Sequence, residues 1–468
     1  MKIYFVGICG IGMSGIAQAF RSMGYDVAGS DREISEDGVN SDLLSYLHGI
    51  GIEIFPQNGT FIKKFHPDFI VYSTAIEENN PDFKCSQGVK RIHRSEALRM
   101  IIENSSEKIS IAVTGVSGKT TVSAWIADAL ETLSSDPSAI IGGKSAKFAK
   151  NKAPGNFRAG KGRFLVIEAD ESDKSILNYA PDYAVILNTG PDHYPVQEQN
   201  EVFAKFARSA KKGLICSTEL SKLISGNSKV PVACFGEIKN RKSGNRLFML
   251  REYLTPKSTK SHNAEAVLEE DGKEIRLELP VPGIHNAINA CAVLTTLSAI
   301  GLKGDNINAV QSFGGVARRF NILGRTSNGA LVVDDYAHNP DKISSCILGA
   351  KELSDGKVFF IFQPHGYGPL GFMREPLEAS LKKSLGKDDT FIMLPVFYAG
   401  GTSSFKPRSE EVIAGFSRNG IKNCEFRNSR RDAELLISKA GKNDVIVISG
   451  ARDESLSTWA KNLAKKTI

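Results

Sequence analysis

Short apolar runs, each ending in glycines or a polar cluster and followed by a stretch with helical spacing, recur along this chain. The first is Ile3–Ile8, which leads into Gly10-Ile11-Gly12-Met13-Ser14-Gly15 and a helical pattern to about Met23. A second strand pattern ends at Asp31. A helix is expected near Asp42–His48, strands at Ile52–Phe55 and Phe69–Ser73, and a helix from Ser95. The polar stretch Glu103-Asn-Ser-Ser-Glu107 reads as a linker. Beyond it, strand Ile109–Val113 precedes helix Val122–Leu133. Strands Phe164–Ile167 and Tyr183–Leu187 follow, each with polar residues at its C-terminal end. Residues 217–280 are more polar and read as β-rich or loop-rich, and Gly283-Ile-His285-Asn286-Ala-Ile-Asn289 opens an Ala/Leu-rich helix. From about Ile322 the pattern resumes with strands at Ala330–Val333, Val358–Phe362, Thr390–Leu394 and Val445–Ile448. Strand–helix alternation of this kind predicts the α/β class with parallel sheets. The expected domains are 1–105, 106–321 and 322–468, in keeping with a length of 468 residues.

Composition narrows the class. A hydrophobic content of 41% with 24% charged residues is that of a globular protein. The net charge of +7 suits anionic ligands, but no Arg/Lys block carries interleaved aromatics, so nucleic acid is not an expected partner. Seven scattered cysteines without a C-x-x-C pair point to reduced thiols rather than a zinc site or disulfides. Met1–Ala17 is apolar enough to imitate a signal peptide, yet its glycines at 7, 10, 12 and 15 fit a nucleotide-binding turn better. No run reaches the roughly 18 apolar residues of a membrane span. The expectation is a cytoplasmic protein, monomeric or weakly dimeric, without membrane contact.

The most informative stretch is Gly115-Val-Ser117-Gly118-Lys119-Thr120-Thr121 between a strand and a helix. A strand turning through glycines into a helix gathers free N–H groups and the positive end of the helix dipole at one point. Lys119 adds a mobile charge for β- and γ-phosphates, and the Thr120 hydroxyl suits Mg²⁺. The full phosphate-loop pattern also places glycine at position 113, where this chain has Val113; a plain glycine turn with a solvent-facing lysine is the alternative. ATP is the expected ligand. Gly10, Gly12 and Gly15 fit a dinucleotide fingerprint, with Asp31 at the spacing of a ribose-binding acid. That pattern alone does not separate NAD from another diphosphate. The domains therefore read as Rossmann-like, phosphate-loop ATPase and Rossmann-like.

Taken in order, these motifs resemble the Mur ligase family, most closely the branch that adds L-alanine to UDP-N-acetylmuramate and the related murein-peptide ligases. The resemblance is carried by Gly10–Ala17, Ser73-Thr-Ala-Ile76 with Asn80-Pro81, Arg94-Ser-Glu96, Gly115–Thr121 and Ile140-Ile-Gly-Gly143. It continues through Glu168-Ala-Asp170-Glu171-Ser-Asp173, Asp192-His193, His285-Asn286-x-x-Asn289, Arg318-Arg319-Phe320, Asp334-Asp335-Tyr336 and Phe362-Gln-Pro-His365. The family chemistry it implies is ATP-driven amide formation through an acyl phosphate. By the same resemblance the catalytic set is Lys119, Glu168, His193, Arg319 and His365. Gly115, Ser117, Gly118, Lys119, Thr120 and Thr121 would bind the ATP phosphates. Asn286 and Asn289 would touch the adenine side, Arg319 the γ-phosphate and Asp335 the ribose. Thr120, Glu168 and His193 would hold Mg²⁺. Gly10, Ile11, Gly12, Met13, Ser14, Asp31 and Ser73 would bind the UDP substrate, and Tyr336 and His365 the incoming amino acid. Outside the resemblance, His193 reads as a loop histidine capping a turn, Asp334-Asp335 as a turn cap, and Asp170-Glu171-Asp173 as loop charge supporting Glu168.

The chain also departs from that branch. Val116-Ser117 stand where Thr-His is usual, and Cys9 where glycine is. Ala337-His338-Asn339-Pro340 is closer to other Mur and folate-type ligases. Gly366 and Pro369 occupy positions of two arginines that grip the amino acid's carboxylate, and Arg452 lies in a Gly-Ala-Arg-Asp segment that usually reads Gly-Ala-Gly-Asp. Weak activity with L-alanine is expected unless Arg374 or Arg452 supplies the missing charge. The alternatives are a Mur-type ligase with another amine, a murein-peptide recycling ligase, and a nucleotide-binding homologue without acceptor chemistry. An NAD-dependent dehydrogenase is the most distant, because it has no use for a phosphate loop.

Overall fold

Each apolar run becomes a strand of one of three sheets in the computed structural model, which describes residues 1–32, 34, 42–190, 195–226, 228–238, 245–256, 263–398 and 405–465. The first sheet holds β1 (Lys2–Val6), β2 (Asp26–Asp31), β3 (Glu53–Pro56), β4 (Phe69–Tyr72) and β5 (Lys90–His93). Its order is β3-β2-β1-β4-β5 and every pair is parallel. The strand expected to reach Ile8 stops at Val6, because the N–H groups of Gly7 and Ile8 both turn to the Ser30 carbonyl.

The second sheet comprises β6 (Ile109–Thr114), β7 (Ser138–Ile140), β8 (Phe157–Arg158), β9 (Phe164–Glu168) and β10 (Tyr183–Ile186). It continues with β11 (Gly213–Ser217), β12 (Val232–Glu237), β13 (Asn245–Leu254), β14 (Ala264–Glu270) and β15 (Lys273–Leu279). The order β15-β14-β13-β12-β11-β10-β6-β9-β7-β8 puts β6 between β10 and β9, parallel to both. Four strands thus fill the polar stretch 217–280, whose alternation was too weak to read.

The third sheet consists of β16 (Asn321–Arg325), β17 (Leu331–Asp335), β18 (Val358–Gln363), β19 (Thr390–Met393), β20 (Cys424–Phe426) and β21 (Val445–Gly450), in the order β16-β17-β21-β18-β19-β20. Only β16 runs antiparallel to its neighbour among the pairs of this sheet.

The described chain divides into two compact units. One comprises residues 1–252, 266–277 and 287–316; the other comprises 253–265, 278–286 and 317–468. Inside the first unit, helix Arg94–Asn104 ends within the stretch 103–107 and a turn follows, in which Lys108 N–H donates to the Ser105 carbonyl directly before β6. One apolar cluster, including Phe5, Phe20, Ile101, Ala112, Ile140 and Leu165, runs from the first sheet into the second.

Helix Ile11–Ser22 explains how the two sheets join. Every residue from Met13 to Phe20 is buried, as expected of a helix covered on all sides, since it packs on β2, β7, β8 and helix Arg94–Asn104. Two buried polar side chains, Asn156 and Gln18, meet there. The Asn156 amide donates to the Ile11 carbonyl (2.6 Å) and Ser14 Oγ (2.9 Å), and Gln18 Nε2 donates to Asn156 Oδ1 (3.1 Å). Helix Lys119–Thr132 is likewise buried from Val122 to Leu130. Its Trp125 stacks on Phe313 at 4.6 Å and donates Nε1–H to the Val310 carbonyl.

The same helix buries Asp128, which accepts from Gly314 N–H and Ser145 Oγ. Burial pushes its carboxyl up to about 6, against smaller lowering by Gly314 N–H and Lys147. A folded-state pKa raised above the unfolded value means stability present below about pH 4 and lost as pH rises through about 6. Replacement by the neutral Asp128→Asn should remove that loss. The variant should gain roughly 2–3 kcal/mol relative to the parent between pH 4 and pH 7. Urea unfolding of both proteins across that range checks it, and parallel pH profiles would contradict it.

Candidate functional site

In the first unit, β6 ends at Thr114 and helix Lys119–Thr132 begins directly after Gly118. Gly118 caps the helix in a left-handed conformation (φ 86°), and a Cβ there would fall 2.9 Å from Asn289 Oδ1. Glycine is therefore required both by backbone and by space. The turn is braced from β10: Ser117 N–H donates to Asn188 Oδ1 (2.9 Å), and Asn188 Nδ2 returns a bond to the Ser117 carbonyl (3.0 Å). Asn188 was not singled out from sequence, although its place at the C-terminal end of a parallel strand is a signal for such a residue.

Glu168 closes β9 beside this loop. Its Oε1 accepts from Thr120 Oγ1 (3.0 Å) and its Oε2 from Gly142 N–H (2.6 Å). A Cβ on Gly142 would sit 2.6 Å from Glu168 Oε1, so the approach needs glycine. The structure thus brings Thr120 and Glu168 together; His193 lies outside the described residues.

The acidic residues after Glu168 do not support it, contrary to expectation. Glu171 meets Lys119, whose Nζ lies 3.0 Å from Oε1 and 2.8 Å from Oε2. Asp170 and Asp173 meet Arg94 at 2.8 and 3.6 Å. Burial raises the Asp170 carboxyl, but Lys119 and Arg94 outweigh it and hold it at about 2. The physical reason is position: the chain turns away from β9 after Glu168, so the later carboxylates face Lys119 and Arg94 rather than Glu168.

The glycine loop after β1 sits at the switch point of the first sheet, between β2 and β4, where open parallel sheets bind ligands. Gly10 precedes the helix, and Ser14 Oγ donates to the Gly10 carbonyl (3.0 Å). Met13 is buried in the core, Ile11 is partly exposed, and Asp31 accepts from Cys9 N–H (2.9 Å), pinning the loop. Arg94 lies beside this loop, 3.6 Å from the position of a Cβ on Gly12. Ser73 follows β4, and its carbonyl accepts from Ile76 N–H.

The second unit gathers Arg318, Arg319, Asp335, Tyr336 and His365 at the C-terminal ends of β17, β18 and β21. Asp335 accepts from Phe320 and Ala337 N–H groups, both at 2.6 Å, so its carboxylate organises the loop. Arg318 pairs with Asp334 and bonds the Gly450 carbonyl. Arg318 and Arg319 lie over the Tyr336 ring at 4.9 and 5.2 Å. His338 Nδ1–H donates to the Tyr336 carbonyl (2.9 Å), and its ring meets His365 edge to face at 5.3 Å. Burial, with nearby cations, pushes His338 down to about 3 and His365 to about 4; both imidazoles are neutral at physiological pH. The cation lowering His365 is Arg452. Gln363 and Gly450 are register partners on β18 and β21, so His365 and Arg452 each follow two residues later. Arg374 instead pairs with Glu375 on the exposed side of helix Tyr367–Ser384. Asn286, in this unit, donates to the Pro282 carbonyl (2.7 Å), while Asn289 belongs to the first unit beside Gly118.

Three stretches match domains of one family. Residues 2–106 match the Mur ligase family catalytic domain, 113–297 the Mur ligase middle domain and 318–452 the Mur ligase glutamate ligase domain. The UDP-N-acetylmuramate–L-alanine ligase of Fusobacterium nucleatum is 30% identical, covering 99% of this chain and 97% of its own. That of Carboxydothermus hydrogenoformans is 34% identical, over 88% and 86%. The crystal structure of UDP-N-acetylmuramate-alanine ligase from Thermotoga maritima matches with a TM-score of 0.77 at 28% identity, over 99% of this chain and 97% of that one. Among the described residues no helix is long and apolar enough to cross a membrane. With end-to-end similarity and all three domain matches in order, the chain belongs to the Mur ligase family.

Proposed function

We propose that this ligase uses ATP to join the carboxylate of a UDP-N-acetylmuramate-type substrate to the amine of an amino acid, in the cytoplasmic assembly of peptidoglycan precursors. The observation that carries this reading is the clustering of Lys119, Thr120, Glu168 and Glu171 beyond the C-terminal ends of β6 and β9. It occurs in a chain aligned over nearly its whole length with ligases of that name. The substrate carboxylate attacks the γ-phosphorus, giving an acyl phosphate and ADP. The amine then attacks the acyl carbon and phosphate leaves. Two anions meet in the first step, so positive charge is the chief requirement. Lys119 and the N–H groups at the helix start supply it, with Gly115, Ser117, Gly118 and Thr121 shaping the loop. Arg319 would reach the γ-phosphate, Asn286 and Asn289 the adenine, and Asp335 the ribose. The glycine loop 10–14, Asp31 and Ser73 would hold the UDP moiety.

Thr120 Oγ1 and the Glu168 carboxylate, 3.0 Å apart, form a hard-oxygen pair of the kind Mg²⁺ prefers when phosphates and water complete its shell. They would hold the ion, with His193 as a further ligand. When bound, Mg²⁺ would neutralise charge on the phosphate oxygens.

At the amine site, Tyr336 and His365 orient the nucleophile. The His338 Nδ1–H bond leaves Nε2 free of a proton, an acceptor for a hydrogen bond from the amine. Arg452, beside His365, supports an amine that carries a carboxylate despite Gly366 and Pro369. The glycine, the proline and the packed rings of Tyr367, Tyr398 and Phe405 also favour a second reading, an amine larger than alanine.

Three outcomes test these assignments. Lys119→Ala should lower turnover on the order of 10²-fold or more; phosphate release retained within a few-fold would remove the loop from the mechanism. Glu168→Gln should sharply raise the Mg²⁺ concentration needed for half-maximal rate, and an unchanged titration would reject it as a ligand. Arg452→Gly should raise KM for amino acids about 10–100-fold without changing KM for ATP. L-alaninamide, which has no carboxylate, should be indifferent to the substitution. A competition among L-alanine, L-serine, glycine, short peptides and L-alaninamide, run on both enzymes, decides between the readings.

A further inference from the structure

Lys119 has three ammonium protons, and three acceptors surround it: the Gly115 carbonyl at 2.7 Å and the two oxygens of Glu171 at 3.0 and 2.8 Å. The ammonium donates to the Gly115 carbonyl and to Glu171 Oε1, and Oε2 completes the ion pair, so its charge is already neutralised by a carboxylate before any phosphate arrives. The Gly115 carbonyl belongs to the same turn, four residues back, so the partner that can be exchanged is Glu171. We propose that Glu171 is a positioning residue that holds the phosphate-loop lysine in the nucleotide-free enzyme and competes with the β- and γ-phosphates for it, thereby setting nucleotide affinity. This rests on the reading that residues 115–121 bind ATP phosphates.

The competition is costly because of where Glu171 sits. Its side chain is 1% exposed, against 16% for Lys119. Losing one partner of a buried ion pair leaves an uncompensated charge. The other charge acting on it, Asp170, is also negative, and Arg94 is already committed to Asp170 and Asp173. Every nucleotide that takes the lysine must therefore strand a buried carboxylate. Glu171→Gln keeps the shape and removes that charge.

The test is nucleotide binding by calorimetry to the full-length protein and its variants. Glu171→Gln should bind ATP and ADP about ten-fold tighter or more, while AMP, which has no β-phosphate, binds as before. Unchanged or weaker ATP binding in the folded variant overturns the proposal, as does equal tightening of AMP. Thermal melting establishes that the variant folds. If it does not, a crystal of the parent enzyme with a non-hydrolysable ATP analogue decides. Lys119 Nζ should then lie beyond hydrogen-bonding reach of Glu171, more than about 3.5 Å away; an intact pair overturns the proposal. Lys119→Ala separates the two levels: lost ATP affinity upholds the phosphate-loop reading, and unchanged affinity refutes it whatever Glu171→Gln does.

Discussion

Four carboxylates within the six residues from Glu168, the end of β9, to Asp173 would repel one another unless partners separated them. Glu168 takes a hydroxyl and a backbone N–H, Asp170 and Asp173 share Arg94, and Glu171 takes Lys119. This distribution fixes the course of the loop, and the loop in turn fixes two other segments of the first unit. Arg94, at the start of its helix, is drawn beside Gly12 of the glycine loop. Lys119 is held at the opening of the phosphate loop. A single run of acids therefore ties both glycine turns to the end of β9.

The apolar component of the same unit works with this constraint. Helix Ile11–Ser22 has no solvent face along Met13–Phe20, so its position is set by packing on two sheets at once. Fully buried Asn156 then fixes its register, because its amide meets Ile11 and Ser14 but no other pair of groups in the first turn. A polar pair in such a place contributes little net stability when satisfied, yet leaving it half-satisfied costs about 1–3 kcal/mol. That asymmetry favours one alignment of helix and sheet.

Strands such as Val358–Gln363 and Val445–Gly450 were legible because both faces are buried, which writes an unbroken apolar run into the sequence. The strands within 217–280 were not, since β15 alternates exposed and buried positions among charged residues. The phosphate loop was legible because its chemistry demands Gly-Lys-Thr in consecutive positions. The partners of Asp170, Glu171 and Asp173 were illegible for the opposite reason: Lys119 and Arg94 lie 52 and 76 residues from Glu171 and Asp170, respectively. No local pattern reports which acid meets which cation. Asn156 is hidden in the same way, 142 residues from Ser14.

In the second unit the electrostatic demand is different. On the proposed reading an amine arrives as an ammonium and must become neutral, a change that cations and uncharged imidazoles beside it favour and carboxylates oppose. Burial keeps His338 and His365 neutral, with pKa values of about 3 and 4. Arg318 is locked onto Asp334 and the Gly450 carbonyl. A carboxylate on the same molecule still needs a cation. Arg452 meets this requirement from the end of β21, on a left-handed backbone (φ 66°) that costs a non-glycine residue about 1–2 kcal/mol. Glycine would relieve the strain and lose the charge. The proposed amine site accounts for an arginine in a conformation suited to glycine by the carboxylate its guanidinium would bind at the edge of β21.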